Sequence, residues 1–419
     1  MSKPSKGILN RFSKSPKLII FDLDGTLYDS QMIRDDTEEH LYEDVKKISF
    51  LPGVKEFLTG FGGKKILVTK EKFPKFQEEK IKILGLDKLF DAIFICPYEE
   101  DKKAYFQKII QLHKDLEIYV VGDRLDLEIK DGNELGLTTI WFKRGKYKDY
   151  SPVHKLEMPT YTIIDFGQLW EIIQPLKAVI LAAGKGSRFS SEKTKVLHEI
   201  AGKPLVRHVV DLADSLGIKE KIVVIGYQGE EVKKELWNCK GIKFAWQKEQ
   251  KGTGHAVMMA RDYLKDFEGE VLILYADVPG VSKETLQQLI AQHRKKDCIL
   301  TILTAVLKEP VWHGRIIKEG EKVMAIREFK DATPKELEIK EVNSGIMIIN
   351  NDFLLSALDK LTTHNAKGEY YLTDIVEIAY KLGKKICTFS AYSEMEIYGV
   401  NYVEELEELR KFFHKYSGK

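Results

Sequence analysis

The stretch from Ala178 to Ile200, AVILAAGKGSRFSSEKTKVLHEI, constrains the fold of this chain more than any other. An apolar run from Ala178 to Ala183 reads as a buried parallel strand. It passes directly into Gly184-Lys185-Gly186-Ser187-Arg188. Two glycines one residue apart allow a tight turn and a close backbone approach, so that several N–H groups can face one anion. Arg188 and Lys195 add two positive charges close by. Strand, glycine loop and basic pair together imply a triphosphate cradle. Taken alone, such a loop also fits an ordinary strand-to-helix turn with solvated charges.

The longer segment is more specific. LAAGKGSRF followed by KVLHEIAGKPLVRHVVD resembles the signature of the sugar nucleotidyltransferases, and within them the uridylyltransferase domain of the bacterial N-acetylglucosamine-1-phosphate uridylyltransferases (UDP-GlcNAc pyrophosphorylases). The resemblance runs from about Lys177 to the last residue, with later motifs in the family's order. Thr194 departs from it, since proline usually precedes the lysine. It implies Ala183, Gly184, Gly186 and Ser187 as the nucleotide cradle, with Arg188 and Lys195 catalytic. In Gln247-x-x-x-x-Gly252-Thr253-Gly254-His255-Ala256 it implies that Gln247, Gly252 and Thr253 contact the uracil and ribose. His255 reads better as structural. Asp277 follows the most apolar strand, Val271 to Tyr275, at the edge where ligands collect in parallel sheets. With Asn401 of Gly399-Val400-Asn401 it is the implied Mg²⁺ site, an all-oxygen set. Ala276 replaces the family's glycine. Gly314, Glu328, Asn343 and Tyr371 fall where the family holds N-acetylglucosamine phosphate. Trp312-His313 replaces the usual tyrosine there, so the edge of the sugar pocket is expected to differ.

A second constellation precedes this one. Leu18-Ile19-Ile20-Phe21 is a short buried strand ending in Asp22-Leu23-Asp24-Gly25-Thr26. Carboxylates at i and i+2 share a side of an extended chain and repel unless a cation lies between them, so Asp22 and Asp24 suggest Mg²⁺. FDLDGTL resembles the first motif of the haloacid-dehalogenase-like (HAD) phosphatases. Thr69 closes a second strand, Lys102 opens a helix where Lys103 is the alternative, and GDRLDLEI supplies Asp123 with a second acid at Asp126 or Glu128. The resemblance implies Asp22 as nucleophile, Asp24 as acid and base, Thr69 and Lys102 on the phosphoryl oxygens, and Asp22, Asp24 and Asp123 around Mg²⁺. Little chain lies between Ser30 and Lys65, so the cap is minimal. An uncapped mouth implies a large substrate, a homo-oligomer partner, or the neighbouring domain as lid.

The expected fold class is α/β: two Rossmann-like domains, the first HAD-like and the second a mixed nucleotidyltransferase sheet of GT-A type, without a left-handed β-helix. The expected domains are a polar lead-in at 1–16, the phosphatase at 17–174 and the transferase at 175–419. No period-six repeat is visible, so the acetyltransferase activity of the bifunctional relatives is not expected. A net charge of +2 gives no reason to expect nucleic acid or membrane insertion. Four dispersed cysteines argue against a disulfide framework and for a reducing, cytoplasmic setting. The expected partners are UTP, a hexosamine 1-phosphate and a phosphomonoester such as a sugar phosphate, with Mg²⁺ in both domains. The alternative is a transferase for another sugar or nucleotide, with an inactive HAD module used for binding or oligomerisation.

Overall fold

A computed structural model of the chain describes residues 17–33, 43–186, 189, 191–400 and 402–416. The chain divides into two compact units, Met1–Ile173 and Gln174–Lys419.

In the N-terminal unit six strands form one sheet: β1 (Lys17–Phe21), β2 (Lys64–Glu71), β3 (Ala92–Pro97), β4 (Glu117–Gly122), β5 (Thr138–Phe142) and β6 (Tyr161–Ile163). Their order is β3-β2-β1-β4-β5-β6, and every pairing is parallel. The order reverses between β1 and β4, which opens a crevice at their carboxyl ends. Asp22 follows β1 there and Asp123 follows β4, and the Asp22 N–H donates to Val121 O at 3.0 Å. Leu18, Ile19, Ile20 and Phe21 are all buried. Alternate residues serve the cores on the two faces of the sheet, so the run carries no polar–apolar alternation. Helices α1 (Pro74–Ile83) and α2 (Lys102–Leu112) follow β2 and β3. The acidic segment after β4 turns at once into a helical stretch, Leu125–Ile129.

In the C-terminal unit the main sheet has nine strands. They are β7 (Leu176–Ala182), β10 (Lys221–Ile225), β11 (Ile242–Trp246), β12 (Glu270–Tyr275), β13 (Leu300–Val306), β14 (Arg315–Glu319), β15 (Lys322–Arg327), β16 (Glu341–Asn350) and β17 (Ile386–Ser390). A small pair, β8 (Glu199–Ile200) and β9 (Lys203–Pro204), stands apart from it. The main order is β11-β10-β7-β12-β16-β13-β17, and β14 pairs with β15 and β16. Strand β16 runs antiparallel to β12 and β13, which makes the sheet mixed. Helices α3 (Leu205–Ser215), α4 (Thr253–Met259) and α5 (Asp374–Lys381) flank it. Strands β7, β10 and β12 are buried on both faces. Fully burying side chains such as Ile180, Val223 and Leu272 contributes roughly 1.5–3 kcal/mol each.

One expectation is corrected. Cys298 and Cys387 form a disulfide with Cα atoms 6.1 Å apart, although 89 residues separate them in the chain. Cys298 lies two residues before β13 and Cys387 lies in β17, the parallel strand paired with β13, and spacing along the chain carries no trace of that pairing. Cys96 and Cys239 are free. Among the described residues no helix is long and apolar enough to cross a membrane.

Candidate functional sites

At the carboxyl edge of the N-terminal sheet, Asp22, Asp123 and Glu128 each offer an oxygen within 4.8 Å of the others. All three are buried. Lys102, the first residue of α2, places its Nζ 2.5 Å from Asp22 Oδ1 and 2.6 Å from Glu128 Oε1. Burial, opposed by Lys102 and reinforced by Glu128, pushes the Asp22 carboxyl up to about 7. Burial and the neighbouring Asp22 and Glu128 push Asp123 up to about 9. Carboxylates this close in a dry pocket repel unless a cation lies between them. Glu128 Oε2 is buried without a partner, so the cluster keeps an unused ligand atom. Its all-oxygen chemistry fits a hard divalent ion such as Mg²⁺. Gly25 has φ +77°, and a Cβ there would meet Asp123 Oδ2 at 2.2 Å, so only glycine lets the loop pass the cluster.

The Asp22–Asp24 metal pair is not what the geometry assembles. Asp24 Oδ1 accepts from Lys80 Nζ at 2.7 Å and Asp24 Oδ2 from Gln77 Nε2 at 2.8 Å. The Tyr28 hydroxyl also donates to Asp24. Burial alone would raise this carboxyl, but Lys80 with the three hydrogen bonds holds it below the usual range. Strand β1 ends at Phe21 and the chain turns back over Leu23–Leu27, where the Leu27 N–H donates to Leu23 O at 2.9 Å, and the two carboxylates take different partners. Glu128 takes the open place in the acidic cluster, while Asp126 pairs with Arg124 at 2.6 Å. Lys103 pairs with Glu134 at the surface, which leaves Lys102 as the lysine at the cluster. Thr69 is fully buried and accepts from Gln77.

In the C-terminal unit the loop after β7 lies at the sheet's carboxyl edge. Gly186 has φ +61°, and a Cβ there would stand 3.2 Å from Lys195 Cβ. Gly184 faces open space, and Ala183 O accepts the Tyr227 N–H at 3.3 Å. Lys195 Nζ lies 2.5 Å from Asp277 Oδ2. Val400 donates its N–H to the backbone O of Asp277 at 2.9 Å, so the chain at Val400 is tied to the end of β12. Ser187, Arg188 and Asn401 themselves lie outside the described residues. Gln228, at φ +50°, accepts the Thr194 N–H at 2.5 Å and donates to Glu192 O at 2.8 Å. The segment leading to Lys195 is tied down from that position.

Gln247 is buried, and its Nε2 lies 3.1 Å from both Gly252 O and His255 Nδ1. Gly252 has φ +103°, and a Cβ would meet Tyr370 O at 2.6 Å. Gly254 N–H donates to Tyr370 O at 2.8 Å, and Thr253 Oγ1 accepts from Leu372 N at 3.1 Å. The Gly-Thr-Gly loop is therefore knitted to the Tyr370–Leu372 segment. Glu328 Oε1 accepts from Thr373 Oγ1 at 3.1 Å, and burial raises its carboxyl. Glu328 and Tyr371 line one cleft of about 310 Å³ with Asp331 and Asp374. Gly314 O accepts the Asn343 N–H at 2.9 Å, and a Cβ on Gly314 would stand 3.5 Å from Glu328 Oε1. Trp312 is exposed and packs edge-on against Phe329 at 5.0 Å, at the edge where the resembling family has tyrosine. Gln77, Lys80 and Gln228 carry no signal in the sequence that marks them as site residues. Thr373 stands inside a recognised motif but is not distinguished there from its neighbours.

Residues 178–329 match the MobA-like NTP transferase domain. The chain is 45% identical over 227 residues to the bifunctional protein GlmU of Acetivibrio thermocellus, covering 54% of this chain and 49% of that protein. It is 46% identical over 244 residues to the bifunctional protein GlmU of Thermoanaerobacter pseudethanolicus, covering 58% and 52%. It thus spans about half the length of these curated relatives. A crystal structure of UDP-glucose pyrophosphorylase with UDP-glucose aligns at TM-score 0.48 and 20% identity, over 57% of this chain and 98% of its own. The C-terminal unit holds an NTP transferase domain resembling that of the sugar nucleotidyltransferases.

Proposed function

We propose that the C-terminal unit transfers a uridylyl group from UTP to N-acetylglucosamine 1-phosphate or a related hexosamine 1-phosphate, with release of pyrophosphate. The observation that carries this reading is the convergence of the loop after β7, Lys195 and Asp277 at one sheet edge, within a segment that matches NTP transferases. The sugar phosphate oxygen attacks the α-phosphorus as the bond to pyrophosphate breaks. No protein nucleophile is needed, so the chain contributes position and charge. Lys195 faces the phosphates, the family resemblance gives Arg188 the same role, and Asp277 and Asn401 are the residues that would hold Mg²⁺. The ion, when bound, offsets the repulsion between two anions. Glu328, Asn343, Gly314 and Tyr371 shape the acceptor side.

Gln247 supports the choice of base. Its amide N–H groups face Gly252 O and His255, so the side chain can offer a base its carbonyl oxygen. Uracil has an N3–H to give it, whereas cytosine has a lone pair at N3. Steady-state rates with UTP and CTP test this. Turnover with CTP equal to that with UTP would remove the uridylyl assignment.

For the N-terminal unit we propose Mg²⁺-dependent phosphomonoester hydrolysis of the HAD type. An Asp22 oxygen bonds to phosphorus as the bond to the leaving oxygen breaks, and Asp24, protonated once the anionic phosphate binds beside it, delivers a proton to that oxygen. Water then attacks phosphorus as the Asp22–phosphorus bond breaks, and Asp24 takes the water's proton. Lys102 and Thr69 face the phosphoryl oxygens, and Asp22, Asp123 and Glu128 suit the metal. Release of phosphate from a panel of hexose phosphates tests this reading. No hydrolysis by the full chain would leave the alternative, a binding or oligomerisation module.

A further inference from the structure

Gln228 stands three residues after β10 in the C-terminal unit, and its backbone is left-handed, with φ +50° and ψ +38°. A residue with a Cβ rarely adopts that region, and one that does is held there by its surroundings. Gln228 directly precedes the helix Gly229–Glu235, yet its side chain caps none of that helix's N–H groups. It reaches instead to a segment 34 and 36 residues back along the chain. Its Oε1 accepts the Thr194 N–H at 2.5 Å, and its Nε2 donates to Glu192 O at 2.8 Å. A primary amide carries donor and acceptor on one planar end, and here the two hold the backbone on either side of Lys193.

What the amide holds is the approach to Lys195. Thr194 is 1% exposed, and its own hydroxyl is buried without a partner, so the side chain at 194 contributes no bond to this backbone. Thr194 O accepts the Leu197 N–H at 3.1 Å, which opens the short helical turn Lys195–Leu197. A Cβ on Gly186 would stand 3.2 Å from Lys195 Cβ, and Lys195 Nζ lies 2.5 Å from Asp277 Oδ2. The lysine is therefore set between the glycine loop and the end of β12. A lysine is a point charge on a flexible four-carbon stem, so it meets a fixed point more surely when its backbone is fixed. Charge placed in advance needs no reorganisation at the moment of reaction.

We infer that Gln228 is a positioning residue for nucleotidyl transfer, holding the Glu192–Thr194 backbone so that Lys195 meets the triphosphate. This rests on the reading of the C-terminal unit as a uridylyltransferase. The effect of Gln228 is carried through Lys195 and not through a contact with substrate.

The test is UDP-sugar formation from UTP and N-acetylglucosamine 1-phosphate by the full chain. The preparations are wild type, Gln228→Gly, Lys195→Met and the double variant, each with its melting temperature. Gln228→Gly removes both side-chain bonds and also the cost of the left-handed backbone, so the melting temperature should change little. Small misplacements are costly in such sites, so kcat/KM for UTP should fall roughly 10–10²-fold, with KM for the sugar phosphate changed less than about threefold. In the Lys195→Met background the same substitution should cost less than about threefold, because residues that act through one another are not additive. Full activity in Gln228→Gly, or an equal fold-loss with and without Lys195, overturns the inference while the transferase reading stands. If Gln228→Gly does not fold, Gln228→Asn decides by the same criterion, since asparagine suits the left-handed region but is one methylene shorter. A wild-type chain that makes no UDP-sugar overturns the transferase reading and this inference with it.

Discussion

Lys195 Nζ and Asp277 Oδ2 lie 2.5 Å apart, although 82 residues separate them. The cation belongs to the segment after the glycine loop and the carboxylate to the end of β12. Each neutralises the other, and both are largely withdrawn from solvent, at 12% and 22% side-chain exposure. A charge-assisted bond in such a setting is strong. In the proposed transfer, nucleotide and metal compete with an existing pair, and each partner is exchanged for a ligand rather than recruited from water.

Asp277→Asn keeps the shape and removes the charge. By analogy with loss of one preorganised electrostatic contact, nucleotidyl transfer should fall about 10²–10³-fold. Lys195→Met should fall in the same direction, because the triphosphate then loses a counter-charge. UDP-sugar formation measured against Mg²⁺ concentration checks both. Normal turnover and normal Mg²⁺ dependence in Asp277→Asn would sink the metal role.

Gly186→Ala places a methyl 3.2 Å from Lys195 Cβ at a φ of +61°. Left-handed backbone costs a non-glycine residue about 1 kcal/mol. The loop should shift, displacing Lys195, so transfer should drop while phosphate release by the N-terminal unit is unchanged. Parallel assays of the two activities on one preparation read this directly. Gly202→Ala, also at positive φ but with nothing within 4 Å of its Cβ, should cost stability alone.

Asp22→Asn should abolish phosphate release and leave UDP-sugar formation nearly untouched, since separately folded units couple weakly. Loss of both activities in a folded variant would contradict two independent sites. The same preparation of wild type and variant, assayed for both products, settles it.

Metal binding to the N-terminal cluster should depend on pH. Without metal, Asp22 and Asp123 are pushed up to about 7 and about 9. These carboxyls hold protons near neutrality that Mg²⁺ must displace. Affinity should therefore rise as the pH climbs through about 7 toward about 9, and level off above the higher value. Calorimetric Mg²⁺ titrations across that range, with proton release scored in two buffers, provide the check. A flat profile would place the metal elsewhere.

The sequence by itself determined where the strands that carry chemistry lie and which residues stand at their carboxyl ends. Apolar runs such as Leu18–Phe21, Ala178–Ala182 and Val271–Leu274 are buried on both faces of a sheet. They are recognisable because a central parallel strand has no wet side to encode. The glycines of the loop after β7 were legible for a related reason, since backbone that must turn tightly favours one residue type.

Which side chains meet was decided only by tertiary structure. A carboxylate's partner depends on its loop's final turn and on which helix packs beside it, and neither is local. Asp24 left Asp22 for Gln77 and Lys80, more than fifty residues along the chain, while Glu128 took the vacant place beside Asp123. Cys298 met Cys387 because β17 lies beside β13, and Lys195 met Asp277 where β7 and β12 lie side by side. Local pattern reports how a segment buries itself, whereas these pairings arise from the order in which a sheet stacks its strands, which no window of the chain contains.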